Sequence, residues 1–309
     1  MEKILITPRS FGENDPSLFQ TITDAGYEIV RNATGGILNK QQMMEHISGC
    51  VGVIIGVDPL DSDVLKCAND LRAVSKYGVG IDNIDINYCN EHGIVVSRTV
   101  GANSEAVADY TMALILALSR KLLEIDDKCR KGDWTKLMAY DVSNATIGLL
   151  GFGAIGKLVA KRAQGFSMKV LANDIYWDEL YAKENNIQYA QPEQIFREAD
   201  FISLHLPLTD STVGYVNRER IAMMKSNAYI INTARGGLID EEALLDALIA
   251  RRIAGAGLDA FATEPPKDNR WFDLKNVILG SHCAASTFGA SQKMGNMATV
   301  NLLKSLANQ

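Results

Sequence analysis

Apolar residues along this chain fall into short, β-branched-rich runs that alternate with longer stretches of helical length. Ile4 to Thr7, Tyr27 to Val30, Val51 to Gly56, Arg72 to Tyr77 and Ile94 to Arg98 read as strands, with helical sequence between them. Nearly continuous apolar strands separated by helices predict a mostly parallel sheet covered on both faces. From Ser104 to about Arg130 the helical pattern runs on for longer than one small domain needs, which predicts a bridge between two domains. A second series follows at Thr146 to Leu150, Lys169 to Asn173, Phe201 to Leu206, Ala228 to Thr233, Gly255 to Asp259 and Asn276 to Gly280. Helical sequence from about Ser286 to Ala307 closes the chain.

Composition agrees with this picture and removes several functions. A length of 309 residues is about twice that of an ordinary domain, enough for two cores. Charged residues make up 22% and apolar ones 47%, the balance of a globular protein. With 31 basic against 37 acidic side chains the net charge is −6, which argues against nucleic-acid binding. Apolar stretches such as Tyr110 to Leu118 are too short to span a bilayer, so no membrane partner is expected. The opening MEKILITPRS lacks the features of a secretory signal, and a cytoplasmic location is expected. Five cysteines, Cys50, Cys67, Cys89, Cys129 and Cys283, are widely spaced with no CxxC pair, so neither a disulfide framework nor a metal site is expected.

The first chemistry lies at residues 146 to 156, TIGLLGFGAIG, where Gly151, Gly153 and Gly156 form a GxGxxG between a strand and a helix. The first glycine permits a tight turn, the second lets backbone approach a pyrophosphate, and the third lets helix and strand pack closely. The helix N-terminus offers free amides and a positive dipole end. Glycines also mark ordinary turns, so the motif alone is weak. Its context strengthens it: the strand KVLAN ends at Asp174, where a carboxylate can accept both ribose hydroxyls of an adenosine. No Arg follows within Asp174-Ile175-Tyr176-Trp177, so NAD is favoured over NADP.

Three further side chains follow three strands: Arg235 after AYIINTA, Glu264 after GAGLDAFAT and His282 after NVILGS. Each has a plain alternative as a solvated strand-end cation, a residue before the turn at Pro265-Pro266, or a satisfied core histidine. Together they form a chemical set. Hydride transfer to a 2-keto acid needs a cation to hold the carboxylate and polarise the carbonyl, and an acid to protonate the new alkoxide. The planar donor fork of Arg235 suits the first role. His282, an imidazole that can carry and release a proton beside a Glu264 carboxylate, suits the second.

On these residues and on KYGVGIDNID (76 to 85), NSEAVADYT (103 to 111), HLPLT (205 to 209), INTARGGLIDEEAL (231 to 244), GLDAFATEPP (257 to 266) and SHCAAST (281 to 287), the sequence resembles the D-isomer-specific 2-hydroxy acid dehydrogenases. The resemblance covers nearly the whole chain. It implies an α/β fold of two doubly wound parallel-sheet domains, a Rossmann nucleotide-binding domain and a flavodoxin-like substrate domain, with a cleft between them. The substrate-binding domain is expected over 1–100, completed by a C-terminal helix at 287–309, and the NAD-binding domain over 101–286. Catalytic Arg235, Glu264 and His282 are implied, with a substrate carboxylate cradled by amides around Gly78, Val79 and Gly80 and with Asn103 nearby. The cofactor NAD would meet Gly151, Gly153, Ala154, Ile155, Gly156, Asp174, His205, Pro207, Thr209, Thr233, Ala234 and Asp259, the last three at the nicotinamide carboxamide. Ala154 stands where many members carry Arg, Asp109 where the usual motif has Glu, and Gly289 where Glu is common.

The opening ITPRSFG resembles short phosphoglycerate dehydrogenases of serine biosynthesis, with Arg9 past the first strand as a candidate phosphate contact. Yet Val57-Asp58-Pro59-Leu60 occupies the loop after the third strand, and Asp58 there would repel a phosphate, leaving that work to Arg9 and Lys76. Glyoxylate or hydroxypyruvate reduction is the alternative, and an NAD-sensing co-repressor the non-enzyme one. The partner expected is a small 2-hydroxy or 2-keto acid. A homodimer is expected too, with Trp134 and the 131–141 loop as candidate contacts and a partly buried surface Trp as the alternative. With the sequence ending soon after its last helix, no C-terminal amino-acid-sensing domain is expected.

Overall fold

A computed structural model describes residues 1–308. In chain order its strands are β1 (Lys3–Ile6), β2 (Glu28–Arg31), β3 (Cys50–Ile55), β4 (Ala73–Lys76), β5 (Val95–Arg98), β6 (Thr146–Leu150), β7 (Lys169–Asn173), β8 (Gln188–Tyr189), β9 (Phe201–Leu204), β10 (Tyr229–Asn232), β11 (Gly255–Leu258) and β12 (Val277–Leu279). The helices are α1 (Ser17–Asp24), α2 (Lys40–Ile47), α3 (Ser62–Leu65), α4 (Ile86–Glu91), α5 (Ser104–Ser119), α6 (Leu122–Arg130), α7 (Ala154–Gly165), α8 (Glu179–Glu184), α9 (Pro192–Glu198), α10 (Arg218–Met223), α11 (Glu241–Ile249), α12 (Arg270–Asp273) and α13 (Phe288–Ala307). The chain divides into two compact units. One takes in Met1–Asn103 and the segment from Ala285 onward, the other Ser104–Ala284.

In the first unit five parallel strands run in the order β2-β1-β3-β4-β5. The central strand β3, CVGVII, is buried at all six positions because helices cover both faces. Leu5, Val53, Ile55 and Val74 pack on one side with Met43 and Ile47 of α2 and Val64 of α3. Ile4, Ile6, Ile54 and Ala73 pack on the other with Leu18 and Ile22 of α1 and Ala298, Leu302 and Leu306 of α13. Local chemistry fixes the helix starts. Asn39 and Gln42 form a reciprocal capping box on α2, and Asp61, Asp85 and Thr287 cap α3, α4 and α13. The closing helix thus begins at Phe288, two residues later than the pattern suggests.

The second unit holds seven parallel strands in the order β12-β11-β10-β9-β6-β7-β8. Chain direction across the sheet reverses between β6 and β9, the place where doubly wound folds open a crevice at the carboxyl ends of their strands. The two-residue β8, too short to carry an alternation, was not legible as a strand. The stretch from Ser104 to Arg130 is not one continuous helix. Lys121 turns left-handed at φ 52°, separating α5, which has ten buried residues, from α6, which has none. Both lie in the second unit, where Leu114 and Leu118 of α5 pack against the backbone of Gly257 in β11. Among the described residues no helix is long and apolar enough to cross a membrane, and no cluster of His, Cys, Asp or Glu could hold a metal ion.

Candidate active site

At the carboxyl end of β6 the chain enters Gly151 with φ +100°, and a Cβ there would run into the backbone of His205. Gly156, in the first turn of α7, lies on the carbonyl oxygen of Gly151 and equally leaves no room for a side chain. Between them Gly153 faces open space, with nothing within 4 Å of where its Cβ would stand. The amides of Ala154 and Ile155, at the start of α7, find no acceptor among the described residues. An open cradle over unpaired amides suits a pyrophosphate. Asp174, past β7, is held toward this loop: its carboxylate accepts from the amides of Phe152 at 2.6 Å and Tyr176 at 2.8 Å. The Phe152 ring stacks on Trp177, and Lys157 pairs with Asp178 at 2.5 Å. A carboxylate has more acceptor positions than those two amides use, so Asp174 can still take ribose hydroxyls.

The remaining cofactor candidates line the ends of β9 and β10. His205 Nε2 lies 2.9 Å from Ser203 Oγ, and burial pushes its imidazole down to about 4, so the ring is neutral at physiological pH. Its turn is closed by hydroxyls: Thr212 donates to the Pro207 carbonyl at 2.6 Å and accepts from the Thr209 amide at 2.8 Å. Thr233 Oγ1 is fixed 2.9 Å from Thr111 Oγ1, and the Ala234 amide donates to Asn232 Oδ1 at 3.0 Å.

Arg235, Glu264 and His282 follow β10, β11 and β12, three adjacent strands of the second sheet. Arg235 Nη1 donates to the Ala234 carbonyl at 2.8 Å, and the Arg235 carbonyl accepts from Asn232 Nδ2 at 2.8 Å. His282 Nδ1 lies 2.9 and 3.0 Å from the two Glu264 oxygens, with the side chains 34% and 27% exposed. Burial alone would raise the Glu264 carboxyl. The His282 hydrogen bond and charge, the Phe261 amide and the Arg235 charge outweigh it and hold Glu264 below the usual carboxylate range. An ionised carboxylate only accepts, so Nδ1 must carry a proton and Nε2 is left as the atom that can give or take one.

His282 itself stands at φ +57°, in the left-handed region. Asp259, only 2% exposed, clamps that turn: its carbonyl accepts from the His282 amide at 2.9 Å, and its carboxylate from the amides of Cys283 at 2.9 Å and Ala284 at 2.8 Å. The residue implied by resemblance to meet a carboxamide therefore has both carboxylate oxygens engaged with the histidine loop.

On the first unit, residues 76 to 83 form a braced loop. Gly78, at φ +144°, exchanges hydrogen bonds with Thr99: its amide donates to Oγ1 at 2.8 Å and its carbonyl accepts from the Thr99 amide at 3.0 Å. The amides of Val79 and Gly80, next in sequence, have no acceptor among the described residues. Consecutive free amides make an anion nest. Lys76 is buried, its ammonium on the Gly56 carbonyl and on Asn83 Oδ1 at 2.6 Å. Asp58 is buried too, accepting from the Thr7 hydroxyl and from the Leu38 amide at 2.8 Å. It ties three strand-end loops together, a structural task that its place in sequence did not suggest. Arg9 is exposed, with Nη1 3.5 Å from the Gly35 carbonyl. Asn103 Oδ1 is shut off from solvent without a donor among the described residues.

Residues 112–284 match the family model described as D-isomer specific 2-hydroxyacid dehydrogenase, NAD binding domain. The chain belongs to this family. A glyoxylate reductase of Korarchaeum cryptofilum is 38% identical over 273 residues, 86% of this chain and 82% of that one. A D-3-phosphoglycerate dehydrogenase of Methanocaldococcus jannaschii is also 38% identical, over 91% of this chain but 54% of its own length. Among solved structures, a D-lactate dehydrogenase of Aquifex aeolicus complexed with NAD and lactic acid has a TM-score of 0.86 at 29% identity, covering 99% of this chain and 95% of that one. The protein is accordingly an NAD-dependent D-2-hydroxyacid dehydrogenase.

Two features of this dehydrogenase's site escaped the motifs. The Asp259 clamp was hidden because a clamp is a set of backbone contacts. Glu241, within RGGLIDEEAL, accepts from the Ala262 amide at 2.6 Å, beside Glu264; its position inside a quoted motif was the one available signal.

Proposed function

We propose that this dehydrogenase reduces a small, unphosphorylated 2-keto acid of the glyoxylate or hydroxypyruvate kind, with His282 Nε2 as the proton donor. The observation that carries the reading is the His282–Glu264 pair, which leaves Nε2 as the working nitrogen. NADH, when bound, supplies the hydride. The amides of Gly153, Ala154 and Ile155 hold its phosphates, with Gly151 and Gly156 letting the backbone close around them, and Asp174 takes the adenosine ribose. His205, Pro207, Thr209, Thr233, Ala234 and Asp259 complete the cofactor's surroundings, Asp259 by fixing the histidine turn. Arg235 polarises the carbonyl and holds the carboxylate through its donor fork. The Val79 and Gly80 amides, with Gly78 setting the turn, bind the carboxylate of the same substrate class, and Asn103 completes the set that the resemblance implies. In the reverse direction His282 Nε2 takes the proton of the hydroxy acid.

An unphosphorylated substrate is favoured because Lys76, the cation nearest the Val79–Gly80 amides in sequence, is buried on Gly56 and Asn83. Exposed Arg9 is the one observation favouring a phosphoglycerate-type substrate, and serine biosynthesis with it. NADH and NADPH oxidation over glyoxylate, hydroxypyruvate, pyruvate and 3-phosphohydroxypyruvate decides between them. Glyoxylate or hydroxypyruvate with NADH should exceed the phosphorylated acid in kcat/KM by about tenfold or more. The reverse order would return the reading to phosphoglycerate. We further propose a homodimer through the 131–141 loop.

A further inference from the structure

The segment Arg235–Glu241 reaches the turn that carries Glu264 from both of its ends. At one end Gly236 lies so close to the backbone of Phe261 and Ala262 that a Cβ has no place. At the other, Glu241 Oε1 accepts from the Ala262 amide at 2.6 Å. Between Ala262 and Lys267 no other amide finds an acceptor among the described residues, and this stretch belongs to no helix or strand. The Phe261 amide bonds Glu264 itself, at 3.1 Å. Among the described residues Glu241 therefore supplies the one hydrogen bond joining the amides of residues 262–267 to the rest of the second unit.

Helix stabilisation does not account for Glu241. Asp240 already caps α11 by accepting from the Ala243 amide at 3.0 Å. The neighbouring Glu242 points elsewhere and pairs with Arg270 at 2.6 Å. Glu241 alone of the first-turn acids turns toward the catalytic rim. The charged groups about it are Glu264 on the turn, His282 and Arg235 beyond it, and Glu242 on its own helix, paired with Arg270 of α12. Burial raises the Glu241 carboxyl, the Ala262 amide partly offsets that, and the Glu264 charge raises it further, so the two carboxylates sense each other.

We propose that Glu241 is a positioning residue for the reaction: through the Ala262 amide it holds the turn that aims Glu264 at His282, and its charge strengthens the negative field in which that pair works. The inference rests on the proposed acid role of His282. With Glu241 ionised, a proton on the pair is favoured; with that charge removed, the pH limb of keto-acid reduction moves to lower pH.

The test compares Glu241→Ala, Glu241→Gln, Glu264→Gln and the double variant Glu241→Ala/Glu264→Gln in the whole enzyme. Measurements are kcat, KM for glyoxylate, NADH affinity by fluorescence titration, and the pH profile of kcat/KM. Glu241→Ala should lower kcat about tenfold with NADH affinity unchanged. Glu241→Gln, which keeps an oxygen for the Ala262 amide, should recover most of kcat while its limb falls by about half a pH unit. The double variant should be no slower than Glu264→Gln, because Glu241 acts through Glu264. The proposal is overturned if Glu241→Ala keeps kcat within about twofold of wild type, if both Glu241 variants lose NADH affinity in parallel with kcat, or if the double variant is additive. An unmoved limb in Glu264→Gln would instead remove the acid pair itself, whatever Glu241 does.

Discussion

Glu264 and His282 meet at 2.9 Å, and the consequence of that distance depends on the carboxylate keeping its charge. Glu264 is held below its ordinary range, so its ionised form is the native one across the working pH. The sign follows from linkage: a carboxyl depressed in the folded state stabilises the fold above its unfolded value, and that contribution disappears as pH falls through the folded one. Over the same span the ionised group favours a proton on the facing imidazole. Glu264→Gln keeps the size and removes the charge. Its reduction limb should fall by about one pH unit, with activity partly recovered in acid, as read from kcat/KM against pH. His282→Asn should abolish the limb and lower kcat by about a hundredfold or more. An unchanged profile in Glu264→Gln would return Glu264 to a structural role beside Pro265.

Elements decide where such residues can stand. Every strand in both sheets is parallel, so all carboxyl ends of a sheet share one rim, and a side chain just past a strand is at that rim by topology. That is why Arg235, Glu264 and His282 could be read together from chain order, and why GxGxxG followed by Asp174 could be read as one cradle. The loop after β4 obeys the same rule in the first unit. Its Val79 and Gly80 amides have no acceptor among the described residues. Gly80→Val should raise KM for the keto acid by about tenfold or more and leave KM for NADH within about twofold, since the glycine cradle belongs to the other unit. Equal damage to both constants, with altered circular dichroism, would place the fault in folding. Elements failed to be legible where pattern is thin: β8 has two residues, and the break at Lys121 lies in sequence that any helix would accept.

At the scale of the whole molecule, large exposed apolar side chains occur in both units, and one group of them lies just after α6 in the second. Trp134 is 81% exposed and Met138 87%, on the stretch that follows α6, a helix with no buried residue of its own. The partly buried surface Trp considered from sequence is therefore not what is found. Exposed large apolar side chains grouped on one segment mark an association surface. Sedimentation equilibrium should find the wild type dimeric at micromolar concentration. Trp134→Ser/Met138→Ser should weaken the dimer by about a hundredfold or more, with the far-ultraviolet circular dichroism unchanged. A monomeric wild type would discard the dimer.

The sequence by itself determined the fold class, the positions of every strand but β8 to within a residue or two, the glycine cradle and the three rim residues. Each of these depends on local quantities: period, β-branching, glycine spacing and a side chain's place after a strand. Tertiary structure alone decided what those side chains touch. Asp58 looked like a charge facing the substrate and is a buried tie between loops. Lys76 looked like a phosphate ligand and is taken up by Gly56 and Asn83. Asp259 fixes the histidine turn, and Glu241 reaches across 21 positions in the chain to the turn of Glu264. The physical reason is common to all four. A charge withdrawn from water, wholly at Asp58, Lys76 and Asp259 and partly at Glu241, must find hydrogen-bond partners, and which backbone amides or carbonyls come within 3 Å is settled by how distant segments pack, a quantity no local pattern carries.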